Sequence, residues 1–192
     1  MNLVDRAKNI ILTPKTEWLA IAGEEPNVGQ IVTGYVIPLA LIPAVGQIIG
    51  MGFLGAGAMS WGFATALIGF ISAIAGVYIS SFIVDLLAPS FGSQKNFGRA
   101  LQLVAYSYTP AWITGILYII PAVALLVLVA SLYGLYLLFL GLPHTMKTPA
   151  DKVAIYLIVS IIVVIIVTAI LSMVFGAIIM GIFGLSALST MH

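Results

Sequence analysis

A chain of 192 residues with 62% hydrophobic and 7% charged side chains, and a mean hydropathy of +1.21, carries too little charge to clothe a water-facing surface, where roughly a quarter of residues are charged. Seven Lys and Arg against six Asp and Glu leave no basic face for phosphates, so no nucleic-acid partner is expected. The absence of Cys removes disulfides, iron–sulfur clusters, thiolate zinc sites and cysteine nucleophiles. The chain reads as an all-α, polytopic integral membrane protein whose main partner is the lipid bilayer.

The N-terminal segment, residues 1–29, holds Asp5, Arg6, Lys8, Lys15, Glu17, Glu24 and Glu25 and lacks the apolar core of a cleavable signal peptide. Leu3, Val4, Ala7, Ile10 and Ile11 recur at helical spacing, with Asp5, Arg6, Lys8 and Asn9 elsewhere on the wheel. That pattern predicts an amphipathic, interfacial cytoplasmic helix, ended by Pro14, with Trp18 at the headgroup level. The plainer reading is a membrane-lying anchor. The sharper one is a helix that binds a cytoplasmic protein partner.

Residues 30–192 read as the transmembrane domain. From Gln30 to Val84 no charge occurs, and this stretch of about 55 residues fits two spans of about 20 residues each, separated by a Gly-rich turn between Gly50 and Trp61. Asp85, Lys95 and Arg99 follow. The uncharged run from Ala100 to Met146 fits two more spans, meeting near Pro121. Lys147, Asp151 and Lys152 then precede a last apolar stretch. The expected architecture is a bundle of five transmembrane helices near residues 31–53, 61–87, 100–119, 122–141 and 153–186. With five spans, all seven Lys and Arg residues fall on one side, which places the N-terminus in the cytoplasm and the C-terminus outside. The fifth span exceeds what the bilayer needs, so tilt, a break near Gly176, Gly181 or Gly184, or an external extension is expected.

Within the second span, Gly62, Ala66, Gly69, Ala73, Gly76 and Ser80 form a stripe of small residues. Such stripes let helix backbones approach closely in lipid. The stripe fits a central helix packed on its own neighbours, or a homo-oligomer interface. Gly46, Gln47 and Gly50 on the first span offer a partner surface. Pro38 and Pro43 interrupt the first span and Pro110 the third, and each frees a backbone carbonyl at membrane depth. Kinked packing explains them, and so does an ion or substrate site of the kind that broken helices line. The run Tyr106, Ser107, Tyr108, Thr109 before Pro110 supplies hydroxyls for either role. Asp85, at the cytoplasmic end of the second span, opposes the negative end of its helix dipole. It is expected to pair with Lys95, Arg99 or the amides opening the third helix, or else to handle protons or ions.

His144 and His192 fall on opposite sides of the membrane in this topology and cannot share a metal. No HExxH, GxSxG or phosphate-cradling Gly-rich motif occurs, so no enzyme activity, catalytic residue, metal or cofactor is expected.

Several segments resemble the Ypt-interacting protein (Yip) domain family, in its small bacterial inner-membrane form. They are Pro14-Lys15-Thr16-Glu17-Trp18, Tyr35-Val36-Ile37-Pro38, Asp85-Leu86-Leu87-Ala88-Pro89-Ser90-Phe91-Gly92 and Ala105-Tyr106-Ser107-Tyr108-Thr109-Pro110. Tyr133-Gly134-Leu135-Tyr136-Leu137-Leu138, Gly141-Leu142-Pro143 and Lys147-Thr148-Pro149 complete the set. The resemblance implies five spans, a cytoplasmic N-terminus and no catalytic residues. Eukaryotic members of that family bind prenylated Rab GTPases through longer N-terminal regions than this one. The expectation is a non-enzymatic inner-membrane protein that organises membrane or recruits partners. The rival is a small transporter or channel for an ion or small solute, resting on the Pro-broken spans, the Tyr106–Thr109 run and Asp85.

Overall fold

Asparagines and prolines set most helix boundaries. The computed structural model describes the backbone of residues 2–120 and 125–189, and the side chains among them except those of residues 56, 57, 60 and 175–189. Asn2 Oδ1 accepts the Asp5 amide at 2.8 Å and opens α1, Leu3–Leu12. Pro14 occupies the first turn of α2, Pro14–Gly23. Asn27 accepts the Gln30 amide at 3.0 Å at the head of α3, Val28–Gly52, and Asn96 does the same for Arg99 at the head of α5, Phe97–Ser107. Each such cap is worth about 1 kcal/mol. The other helices are α4, Ala56–Leu87; α6, Thr109–Thr114; α7, Leu125–Thr145; and α8, Val153–Ser189.

All regular structure among the described residues is helical, and four helices are long and apolar enough to cross a bilayer: Val28–Gly52, Trp61–Phe91, Leu125–Thr145 and Val153–Val174. The expected span 100–119 is not a single helix. It is divided into α5, α6 and a 3-10 turn over Gly115–Ile119, because Pro110 has no amide to continue the ladder. The expected meeting point near Pro121 lies outside the described residues, as does His192. The last helix runs unbroken past Gly176, Gly181 and Gly184, and its 37 residues reach about 55 Å at about 1.5 Å each.

The broken segment runs alongside α3 in the same direction. Gly98 faces Pro26, the Tyr106 ring meets Tyr35 edge-on with centroids 4.8 Å apart, Gly115 faces Pro43, and Gly50 backs onto Tyr118 and Ile119. Glycine permits this approach: a Cβ on Gly46 would lie 2.8 Å from the Gly115 carbonyl oxygen. Within α3, a π turn over Val32–Val36, closed by the Ile37 amide on Val32 O, accommodates Pro38. Helix α4 returns antiparallel to α3, with Gln47 donating to Thr65 Oγ1 at 3.1 Å and Gly62 against Met51. Helix α7 returns along α5, setting Gly134 on the Ser107 carbonyl and Gly141 under Leu103 and Trp18. Helix α8 lies on α4, where the Tyr156 ring stacks on Phe91 at 4.8 Å and its hydroxyl donates to Val84 O.

A single apolar core contains Val36, Leu39, Leu101, Leu103, Val104, Leu137, Met146 and Tyr156, and it also contains Ala7, Ile10, Trp18 and Ile21. Residues 3–23 thus share this core with the long helices. Trp18 is fully buried against Gly141 rather than resting among headgroups. Its large ring gains more by filling the space that a glycine leaves open than by lying at the interface. Val4, Leu12 and Leu19 stay exposed on the outer face of this cap.

Candidate functional site

Arg99 and Tyr133 tie the cap to the bundle, and Arg6 ties α1 to α2 within the cap while its guanidinium rests on Tyr106 of α5. Arg6 shares a helix face with Leu3 and Ile10, and is carried inward with them. Its Nη1 donates to Glu17 Oε1 at 2.6 Å, with both side chains only 6–7% exposed, and its Nη2 donates to Glu24, whose side chain is 43% exposed. The guanidinium lies over the Tyr106 ring, 5.3 Å from its centroid, a cation–π geometry. Burial opposes its charge, but the Glu24 hydrogen bond and the charges of Glu24 and Glu17 hold it above its ordinary pKa. Arg99, at the start of α5, donates to the carbonyls of Ile21 at 3.2 Å and Glu24 at 2.6 Å, and to Gln102 Oε1 at 3.2 Å. These carbonyls close α2, where a cation complements the helix dipole. Tyr133, on α7, donates to Ile11 O at 2.8 Å.

Beneath the lock lies a polar cavity of about 400 Å³, lined by Arg6, Glu24, Glu25, Tyr35, Gln102 and Tyr106 among others. Its floor is buried, whereas Glu25 and Gln30 at its rim are exposed.

The residues singled out in the sequence are dispersed. Thr109 Oγ1 donates to Tyr106 O at 2.7 Å, satisfying the carbonyl that Pro110 frees, and the Tyr35 hydroxyl then donates to Thr109 at 2.7 Å. The Tyr108 hydroxyl meets Ser80 at 2.9 Å, and Ser107 Oγ is buried without a partner. The run thus faces several directions and does not converge on one ligand. Asp85 does not pair as expected: Arg99 is drawn to the end of α2, Lys95 is exposed, and Asp85 Oδ1 is buried with no hydrogen bond. The small-residue stripe divides along its length. Gly62 and Ala66 are buried, Ala73 is half-buried and Ser80 is bonded to Tyr108, but a Cβ on Gly69 or Gly76 would meet nothing within 4 Å.

Arg6, Glu17, Glu24, Tyr35 and Gln102 were not anticipated as a site. A signal for Arg6 existed, since it lies three residues after Leu3 and four before Ile10, on the apolar face. Its carboxylate partners are 11 and 18 residues away, across the break between α1 and α2, where helical periodicity no longer says which side chains meet.

The loops that carry the remaining cations close against one another at the same end. Gln94 N donates to Met146 O at 2.8 Å, and Ser93 Oγ to Thr148 Oγ1 at 2.9 Å. Long apolar helices around one core, capped at one end by a charged, folded segment, define a small multi-pass membrane protein. The chain belongs to the Yip1 domain family, whose domain matches residues 8–173. It is 25% identical over 151 residues to inner membrane protein YohC of Escherichia coli strain K12, covering 72% of this chain and 77% of that one. The same figures hold for YohC of Escherichia coli O6:H1 strain CFT073. No solved structure matches. With its apolar helices, the chain is a multi-pass inner-membrane protein.

Proposed function

We propose that the chain is a non-enzymatic membrane protein of five crossings, N-terminus cytoplasmic and C-terminus outside, that organises membrane or recruits partners at its charged end. The course of residues 97–119 beside α3 supports a fifth crossing despite the break at Pro110. The gathering of Lys and Arg in the cap and in the two loops that meet beneath it supports the orientation. The observation that carries the functional reading is the Arg6–Glu17–Glu24 network. It makes residues 3–23 a shaped surface instead of a loose arm, with Val4, Lys8, Leu12, Lys15 and Leu19 turned outward.

Photo-crosslinking side chains placed at Lys8 and Lys15 in living cells, with lipid-facing Ile158 as control, test this reading. A discrete protein adduct at the cap positions only is expected. Adducts identical to those of the control overturn it.

One observation favours transport instead: the buried, unbonded Asp85 Oδ1. Liposomes containing the protein then pass protons, ions or a small solute at a rate that Asp85→Asn changes. Flux equal to that of empty liposomes removes this alternative.

A further inference from the structure

The lining of the 400 Å³ cavity is polarised, and its volume falls in the range usual for small-ligand sites, roughly 300–1,000 Å³. Its floor carries hydrogen-bonding groups that the protein leaves unused. Gln102 is 2% exposed, its carbonyl accepts from Arg99, and its NH2 group has no hydrogen-bond partner within the protein. Tyr106 is 7% exposed, and its hydroxyl has none either, although its ring is held between Arg6 and Tyr35. Neither atom is among the fully buried, unpartnered ones, so both face the cavity, where they can donate to a guest in place of water. The rim carries the opposite chemistry. Glu25 is exposed and unpaired, and Glu24 gives one oxygen to Arg6 and keeps the other.

The charge balance excludes the simplest guests. Arg6 against Glu24 and Glu25 leaves the lining net negative, and the guanidinium already serves Glu17 and Glu24, so a plain anion is disfavoured. A bare metal ion is a poor fit too. Among the described residues no three His, Cys, Asp or Glu side chains group to hold one, and the floor offers an amide NH2, which cannot ligate.

We propose that this cavity binds a zwitterion of the phosphoethanolamine type. Its oxyanion end accepts from Gln102 and Tyr106 at the floor, and its primary ammonium lies between Glu24 and Glu25 at the rim. The position suits a headgroup, because the cavity opens where α3 passes from Asn27 into its apolar run. The same chemistry is offered by phosphatidylethanolamine of the bilayer and by free glycerophosphoethanolamine. This site is independent of what binds the outer face of the cap.

The test uses the full chain in mild detergent, exposed to equal amounts of phosphatidylethanolamine, phosphatidylglycerol and phosphatidylcholine, with retained lipid read by native mass spectrometry. Phosphatidylethanolamine is retained over both others, since glycerol brings no cation and a quaternary ammonium has no N–H to donate. Glu25→Gln lowers that retention about three- to fivefold, the worth of one rim ion pair, with thermal stability unchanged. Tyr106→Phe lowers it too, and leaves phosphatidylglycerol retention as it was. Calorimetry with glycerophosphoethanolamine separates the sources: heat of binding assigns the site to the free headgroup, and its absence alongside lipid retention assigns it to the membrane lipid. Equal retention of all three lipids, or retention unmoved by Glu25→Gln, overturns the proposal.

Discussion

Removing Arg6 tests whether the cap is part of the fold. Arg6 and Glu17 meet at 2.6 Å with side chains 6% and 7% exposed. Arg6→Ala therefore strands the Glu17 carboxylate in a buried setting, which costs about 3–5 kcal/mol. Glu24 is 43% exposed, so Glu24→Ala leaves water to solvate what remains and costs about 0.2–1 kcal/mol. Arg6→Ala combined with Glu17→Ala removes both charges together, and the pair costs less than the sum of its singles by at least about 1 kcal/mol. Unfolding in mild detergent, followed by the fluorescence of buried Trp18, measures the series. Proteolysis between Gly23 and Asn27, the link from α2 to α3, reports detachment of the cap. If Arg6→Ala is no more damaging than Glu24→Ala, or if the two singles simply add, the network does not hold the cap and the reasoning fails.

Three further outcomes follow from the packing. Gly115→Ala places a Cβ 2.5 Å from Pro43 Cβ and 3.0 Å from its Cα, where the rigid ring cannot yield. It costs about 1–3 kcal/mol, whereas Gly69→Ala, with nothing within 4 Å, leaves detergent unfolding unchanged or slightly raised. Tyr35→Phe removes one hydrogen bond and costs about 0.5–1.5 kcal/mol in the same assay; Thr109→Val costs more, because it strands both Tyr35 and the Tyr106 carbonyl. In this cysteine-free chain, Leu54→Cys labels with an impermeant maleimide from outside intact spheroplasts, and Lys95→Cys and Asp151→Cys label only after permeabilisation. The reverse pattern refutes the orientation.

The long helices were legible because charge is excluded from hydrocarbon, so uncharged runs between clusters such as Asp85–Arg99 and Lys147–Lys152 mark them directly. The break in the third expected span was legible only as a proline. Whether Pro110 kinks a helix or ends one depends on Thr109 reaching the freed carbonyl and on Tyr35 reaching the Thr109 hydroxyl, a contact across 74 residues. The seat of Trp18 was not legible for a related reason. Its amphipathic pattern is the same for a helix that lies on lipid and for one that lies on protein, and only Gly141 and Leu103, far along the chain, decide which surface Trp18 meets. The partner expected for Asp85 failed because Arg99 is nearer in space to the carbonyls ending α2 than sequence proximity suggests.

The burial of Trp18 against Leu103 and Gly141 also orders the events of biosynthesis. Chains emerge from the N-terminus, so the cap is made first, yet the surface that receives it is complete only once α7 has been inserted. Until then residues 3–23 wait undocked, and the pairing of Arg6 with Glu17 and Glu24 spans few enough residues to form early at little cost in loop closure. Nascent chains halted before Gly141 expose the cap to protease, and those that pass it acquire protection in one step. The first segment to be made thus takes its place only after α7.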